Sequence, residues 1–390
     1  MPAINRFADL APSIAAWRHD IHRNPEILFE THRTSALVAE KLRAFGCDEV
    51  VTGIGRTGVV GIIRGRTDTS GRTVGLRADM DALPMSEATG LPYASQTPGA
   101  MHACGHDGHT AMLLGAAQYL AETRHFDGTA VVIFQPAEEG GGGGREMVED
   151  GLMDRFGIQE VYGMHNSPGL AVGSFKLRPG PLLASADRFD IAVIGRGSHG
   201  AMPHQGIDTT MVASQVVVAV QSIVARNIEP LRPAVVSVTS FRTDTDAFNV
   251  IPGRVDLKGT VRTLDPETRD VAEFRLKQVV RGVATALGAE VEIDFRRDYP
   301  VTVNAEAQTA FATKVAREIA GDERVDGAAE PVMGAEDFSF MLNARPGAFI
   351  FVGNGDSAAL HHPAYDFDDE AIASGCSFWA RLVERAMPAA

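Results

Sequence analysis

Cysteine is scarce in this chain of 390 residues: there are three, Cys47, Cys104 and Cys376, an odd number set far apart. That usage argues against a disulfide framework and predicts a reducing compartment. No run of 18 or more apolar residues occurs, so the sequence predicts no membrane-spanning helix. Basic side chains are outnumbered 36 to 50, for a formal net charge of -14, and such a field repels a polyanion such as nucleic acid. The opening segment, Met1 to Asp9, lacks the basic and then apolar layout of a secretory signal, which with the cysteine usage predicts a cytoplasmic protein. Internal repeats are absent. The one low-complexity tract, Gly140 to Gly144, is not followed by the Gly-Lys-Ser/Thr of a phosphate-cradling loop, and supplies backbone freedom instead.

Hydrophobic residues make up 45% of the chain and charged ones 22%, the balance of a globular protein. A chain this long exceeds one ordinary core and predicts two domains. Amphipathic helices are expected over Ile14 to Ile21 and Ser35 to Phe45, the second stopped by Gly46. Strands are expected at Val59 to Ile63, Thr73 to Arg77, Thr129 to Phe134 and Glu160 to Met164, with a helix from Thr110 to Thr123. Alternation of this kind predicts an α/β fold with a mostly parallel sheet covered by helices on both faces. The rhythm changes near Ala186. Strand Arg188 to Gly195, helix Thr209 to Arg226, strands Ala234 to Phe241 and Arg254 to Val261, helix Pro266 to Leu287 and strand Glu290 to Phe295 follow in turn. That β-α-β-β-α-β order predicts a ferredoxin-like module at 184–298, inserted into a discontinuous first domain of 1–183 and 299–390.

Chemistry gathers at Met101-His102-Ala103-Cys104-Gly105-His106-Asp107-Gly108-His109, where three imidazoles, a thiol and a carboxylate precede an apolar run. Thiolate and imidazole together suit borderline-soft divalent metals. Three of the expected strands, and a further one expected at Phe349 to Val352, also run into ligand-competent residues. Thr73 to Arg77 leads into Asp79 and Asp81, Thr129 to Phe134 into Glu138 and Glu139, Glu160 to Met164 into His165, and Phe349 to Val352, after a loop, into the pair His361 and His362. In an open parallel sheet the carboxyl ends of strands form one edge, where sites are built. Adjacent Glu138 and Glu139 point in different directions, so one can hold a metal while its neighbour faces a water. Cys104, His106, Glu139, His165 and a histidine after Leu360 are more donors than one tetrahedral ion requires; two ions about 3.5 Å apart fit the count. His19, His22 and Glu26 mimic a ligand triad, but their helical spacing favours a helix-surface cluster.

The succession Ala78-Asp79-Met80-Asp81-Ala82-Leu83-Pro84, the Met101 to His109 segment, Gln135-Pro136-Ala137-Glu138-Glu139, His165 and Leu360-His361 resembles the metallo-aminoacylase and carboxypeptidase family, in its hippurate hydrolase and auxin-conjugate (indoleacetyl-amino acid) amidohydrolase branch. The resemblance covers nearly the whole chain. It implies two divalent ions per subunit (Zn, Mn, Co or Ni) held by Cys104, His106, Glu139, His165 and His361, with the Cys104 sulfur bridging both, and Glu138 as general base and then proton donor. Most relatives place a histidine ligand and an aspartate where this chain has Asp79 and Asp81. The ligand role of Asp79 is therefore left open, and Asp81 is expected to orient a neighbouring ligand. Gly197-Ser198-His199-Gly200 resembles a family segment whose histidine steadies the oxyanion, often across a dimer interface. Asn249 and Arg262 match the family's substrate-carboxylate pocket; for Arg262 a strand-surface salt bridge is nearly as apt. Gly334-Ala335-Glu336-Asp337-Phe338 matches a further family segment of open role. The resemblance implies hydrolysis of a small N-acyl amino acid by a homodimer formed through the inserted domain. The alternatives are a dipeptidase or carboxypeptidase, or a non-catalytic metal-binding relative; the last would have lost Glu138 or a ligand, and this chain keeps them all.

Overall fold

The computed structural model describes residues 4–389; Met1, Pro2 and Ala3 of the opening segment lie outside the described residues. The chain divides into two compact units. One comprises the residues up to Leu182, Val303–Glu330 and the chain from Asp337 onward; the other comprises Leu183–Thr302 and Pro331–Glu336.

The first unit is built on an eight-stranded sheet in the order Glu49–Ile54, Gly58–Arg64, Thr129–Gln135, Thr73–Asp79, Glu160–Ser167, Gly347–Gly353, Phe175–Lys176 and Val325–Asp326. The four central strands are mutually parallel, with Asp79 opposite Gln135, Arg77 opposite Gly163 and Phe351 opposite His165. Buried on both faces, these strands read as near-continuous apolar runs such as Ala-Val-Val-Ile-Phe. The parallel expectation holds for this centre. Towards one edge, Gly58–Arg64 and Glu49–Ile54 run antiparallel, because the two are joined by a tight hairpin that leaves no room for a crossover.

Helix His106–Thr123 is buried almost all round, as expected of a helix without a polar face. It packs against Asn5–Arg23 and Ala371–Ala386. Gly115 permits the approach: a Cβ there would stand 2.5 Å from Ile14 Cδ1 and 2.8 Å from Cys376 Sγ, an overpacking that typically costs about 1–3 kcal/mol.

The second unit carries a four-stranded antiparallel sheet in the order Ala234–Thr243, Arg254–Thr263, Ala186–Ile194 and Glu290–Tyr299. With its two helical segments this is the split β-α-β-β-α-β arrangement. Asp265 accepts from Thr268 N at 2.8 Å and is followed by Pro266, a strong start signal for helix Pro266–Ala286. The expected single helix over Thr209 to Arg226 is broken at Gln221 into Thr209–Val220 and Ser222–Arg226. That stretch has a mean hydropathy of 1.2 over 18 residues, enough in length and composition for a membrane span. Its Val212, Ala213, Val216, Val220 and Ile223 are nonetheless sealed into the unit's own core, so it is an amphipathic core helix.

Candidate metal centre

The parallel strand ends bring the expected donors to one edge of the first unit. The helix opens at His106, four residues ahead of the expected Thr110. Gly105 sits at φ +87°, and a Cβ there would lie 2.3 Å from Asn166 Nδ2 and 2.5 Å from Tyr365 Oη. Only glycine lets Cys104 and His106 enter the site side by side. Strained backbone marks the other arms too: Ala137, just before Glu138, has φ +55° and His361 has φ +62°, left-handed conformations that non-glycine residues hold only when their surroundings enforce them.

Cys104, His106 and His165 each offer one ligand atom, all within 4.8 Å of one another, and Cys104, Glu139 and His361 do the same. A third such group is His106, Glu138 and Glu139. The sulfur thus belongs to two donor trios at once. His106 donates Nδ1–H to the Asp81 carbonyl at 2.8 Å, and His165 donates Nδ1–H to the Asn166 carbonyl at 2.7 Å. Each ring is left presenting Nε2, and that of His165 stands 3.3 Å from Cys104 Sγ. Fixing the far nitrogen in this way sets tautomer and orientation for a ligand. His361 Nε2 lies 3.4 Å from Glu139 Oε1. His362 is exposed and accepts from Ala364 N through Nδ1; it joins no donor group.

Asp81 holds the acidic turn in place. Its two carboxylate oxygens accept from the backbone N–H groups of Glu138 at 2.9 Å and Glu139 at 3.1 Å. Asp79 is otherwise engaged: one oxygen accepts from Arg77 at 2.7 Å and the other from His109 Nδ1 at 2.6 Å. His109 Nε2 in turn accepts from Asn166 N, so neither ring nitrogen is open to a cation. Asn166 also donates to the Cys104 carbonyl at 2.6 Å and accepts from Tyr365 Oη at 2.8 Å. Asp337 accepts from Arg77, Gln135 and Gly144 N, tying the glycine tract to the strand ends.

The donor set fits cations. His106 Nε2 and Glu139 Oε1 are buried without a properly oriented hydrogen bond. Asp79, Asp81, Glu138 and Glu139 crowd one imidazole, and unbalanced buried charge is expensive. Burial, then the Glu139 and Glu138 carboxylates, push the Cys104 thiol well above its ordinary value. Burial opposes charge on His106, yet Asp79, Asp81 and Glu139 outweigh it and raise that ring to about 10. Burial holds His165 well below the usual histidine range. A site that draws a proton onto one ring and denies ionisation to its thiol is one that divalent charge would settle.

A model of peptidase family M20/M25/M40 matches residues 75–385. The chain belongs to that family. Hippurate hydrolase of Campylobacter jejuni is 43% identical over 382 residues, covering 98% of each chain. Thermostable carboxypeptidase 2 of Saccharolobus solfataricus is 42% identical over 341 residues, 86% of this chain and 84% of that one. Among solved structures, the Bacillus subtilis YXEP protein, described as a dinuclear metal binding peptidase from the M20 family, superposes with a TM-score of 0.84 at 33% identity and covers 98% of this chain and 100% of its own.

The remaining expected residues lie in the second unit. His199, exposed, pairs with Val250 across the ribbon Ser198–His199 and Val250–Ile251, and Gly200 N donates to the Asn249 carbonyl at 2.7 Å. His199 Nδ1 accepts from Ala201 N at 3.0 Å, so Nε2 carries the proton of the neutral ring. Arg262 is half-buried on strand Arg254–Thr263, and its Nη1 is sealed without a partner. Burial lowers its pKa, against the pull of Asp187 and Asp298. Glu336 is buried, with Thr302 Oγ1 donating to its carbonyl at 3.4 Å.

One expectation is overturned. His22 is fully buried and donates to Asp107 at 2.8 Å, His19 reaches Asp369, and Glu26 accepts from Arg33 N and Thr34 N at the start of the next helix. They are not a surface cluster. The available signal was position: Arg18 and His22 share the stripe of Leu10, Ile14 and Ile21, the face this helix buries.

Proposed function

We propose that the protein is a dinuclear metal amidohydrolase that cleaves an N-acyl amino acid into a carboxylic acid and a free amino acid. The observation that carries this reading is the Cys104 sulfur shared by two donor trios, with Glu138 beside them. Cys104, His106 and His165 would hold one cation, and Cys104, Glu139 and His361 the other. Bound there, divalent cations supply Lewis acidity that polarises the acyl carbonyl and acidifies the attacking water.

Glu138 is the proton carrier in this reading. Its backbone is locked by Asp81, while the adjoining Glu139 turns its Oε1 towards His361 and His106, at 3.4 and 3.9 Å, where it would serve as a ligand, so the two carboxylates have separate duties. Glu138 takes the proton of the attacking water and returns it to the nitrogen of the departing amino acid. His199, exposed and with Nδ1 taken by Ala201 N, is suited to donate Nε2–H to the oxyanion. The Arg262 fork, with Asn249, is suited to the free carboxylate that every N-acyl amino acid carries. Twelve of the fourteen large apolar side chains exposed in the described residues fall between Met202 and Leu287, which supports a homodimer through the second unit. The three free cysteines fit a reducing compartment.

A panel of acetyl, benzoyl and indoleacetyl amino acids beside plain dipeptides, run with metal analysis of the purified protein, tests the assignment. Turnover confined to N-blocked substrates supports it. Preference for dipeptides with a free amine favours the second reading, a carboxypeptidase or dipeptidase, which the 42% identity to a thermostable carboxypeptidase keeps in play.

A further inference from the structure

Behind the donor groups lies a second set of buried charges that the proposed reaction does not use. Arg18, on helix Asn5–Arg23, is sealed from solvent. Its Nη1 is 3.2 Å from Asp107 Oδ2 and 3.6 Å from Asp366 Oδ1, and its Nε donates to Asp369 Oδ1 at 2.6 Å. The guanidinium also lies over the Tyr93 ring, 4.6 Å from its centroid. One turn on, His22 donates Nδ1–H to the same Asp107 oxygen at 2.8 Å and faces Glu87 with Nε2 at 3.4 Å. Burial pulls the His22 pKa down, but Asp107 and Glu87 outweigh it and raise it to about 9, so His22 is a cation at neutral pH.

These carboxylates sit on the two segments that deliver metal donors. Asp107 directly follows His106 in the first turn of its helix. Asp366 and Asp369 end the segment that starts at His361. That segment is otherwise pinned by His361 N to the Ala103 carbonyl, by the Pro363 carbonyl to Ala88 N, and by Tyr365 to Asn166. The first helix, which lies ahead of the part of the chain matched by the family model, is therefore the common anchor of both arms.

We propose that Arg18 and His22 are positioning residues that clamp the His106 and His361 segments together through Asp107, Asp366 and Asp369, and thereby set how tightly the centre holds its cations. The inference rests on the reading of the donor trios as a metal centre. Groups that fix the orientation of ligands from behind commonly change metal affinity by about 10–100-fold when removed.

The test is Co²⁺ binding to the metal-stripped full-length protein, read by competition with a chromophoric chelator and by the thiolate-to-cobalt absorption band, with thermal unfolding of the metal-free protein alongside. His22→Gln and Asp369→Asn are the test variants; Cys104→Ser and His106→Ala report on the centre itself. The expected result is an affinity about 10–100-fold weaker in both test variants with a shifted cobalt band, while their metal-free forms remain folded. Should His22→Gln fail to fold, Asp369→Asn, at the solvent edge of the cluster, decides by the same criterion. Unchanged affinity and band in folded test variants, with Cys104→Ser and His106→Ala losing metal, would overturn the clamp and leave the centre standing. Undiminished binding by Cys104→Ser and His106→Ala would overturn the reading of the centre and the clamp with it.

Discussion

In the first unit Arg18, Arg77, Asp79, His106 and Asp107 are all sealed from solvent, whereas in the second unit Leu231 stands 89% exposed, Phe248 100% and Phe274 63%. The usual sorting of side chains is inverted in each, in opposite senses. Buried charge is tolerated only where it is paired, and is costly to unpair. Exposed apolar groups gain nothing until something covers them. The contrast separates two tasks: the first unit holds charge in fixed positions, and the second presents a surface. Each task can be broken by itself.

The largest effect is expected at Glu138. Glu138→Gln should lower kcat on an N-acyl amino acid by about 10²–10⁴-fold, the usual worth of a positioned acid–base group, with metal content of the purified protein unchanged. Loss of metal together with activity would instead make Glu138 a ligand, consistent with its place beside His106 and Glu139. Next in size is the charge cluster under the centre. The folded-state pKa of His22 is raised from 6.5 to about 9, so its contribution is fully present below about pH 6.5 and is lost as pH rises through 9. At roughly 1.4 kcal/mol per unit, the contribution is on the order of 3 kcal/mol. Denaturant unfolding of the wild type and His22→Gln across pH 6 to 10 should show the two stabilities converging as alkalinity increases. A gap independent of pH would mean that His22 acts through packing and not as a cation facing Asp107, Glu87 and Arg18.

Arg262 sharpens the comparison, because it is a half-buried charge of the second unit. An arginine with an unpartnered Nη1 suits a ligand carboxylate. Arg262→Ala should lower kcat/KM for N-acyl amino acids by about 10–100-fold, the worth of a hydrogen bond to a charged group, and leave the corresponding amino acid amides nearly untouched. Equal losses on both substrate classes would return Arg262 to the role of a strand-surface residue beside Asp187 and Asp298.

Much of the first unit was legible in the sequence, for a physical reason. Strands buried on both faces must be apolar, so the places where Thr73–Asp79, Thr129–Gln135, Glu160–Ser167 and Gly347–Gly353 turn polar announce the sheet edge without any structure. The split β-α-β-β-α-β order was equally open, because its caps, periods and turns agree with one another. What stayed hidden was partnership. His22 read as part of a helix-surface cluster, since polar residues on a helix are usually solvated; its partner Asp107 lies 85 residues away and Asp369, the partner of Arg18 on the same helix, 351, and pairing at that range leaves no local trace. The start of the helix at His106 was hidden likewise. Its first turn, His106-Asp107-Gly108-His109, has poor helix formers, and is held by Asp107 to the first helix and by His109 to Asp79. Gln221 breaks an apolar run that periodicity alone joins.

The smallest stability effect, and the sharpest separation of the two units, is expected on the second unit's helices. Val218 on Thr209–Val220 and Phe274 on Pro266–Ala286 are 68% and 63% exposed, so neither supports the core of its own unit. Val218→Ser with Phe274→Ser should leave the unfolding free energy of the dilute protein within about 0.5 kcal/mol of wild type, as surface changes usually do. Self-association, followed by sedimentation at micromolar concentration, should weaken. A covered apolar face contributes about 25 cal/mol per Å², so even two side chains suffice to shift a dimer equilibrium by an order of magnitude. A wild-type protein that sediments as a monomer would show that these side chains serve no self-association, and His199 would then have to act within its own chain.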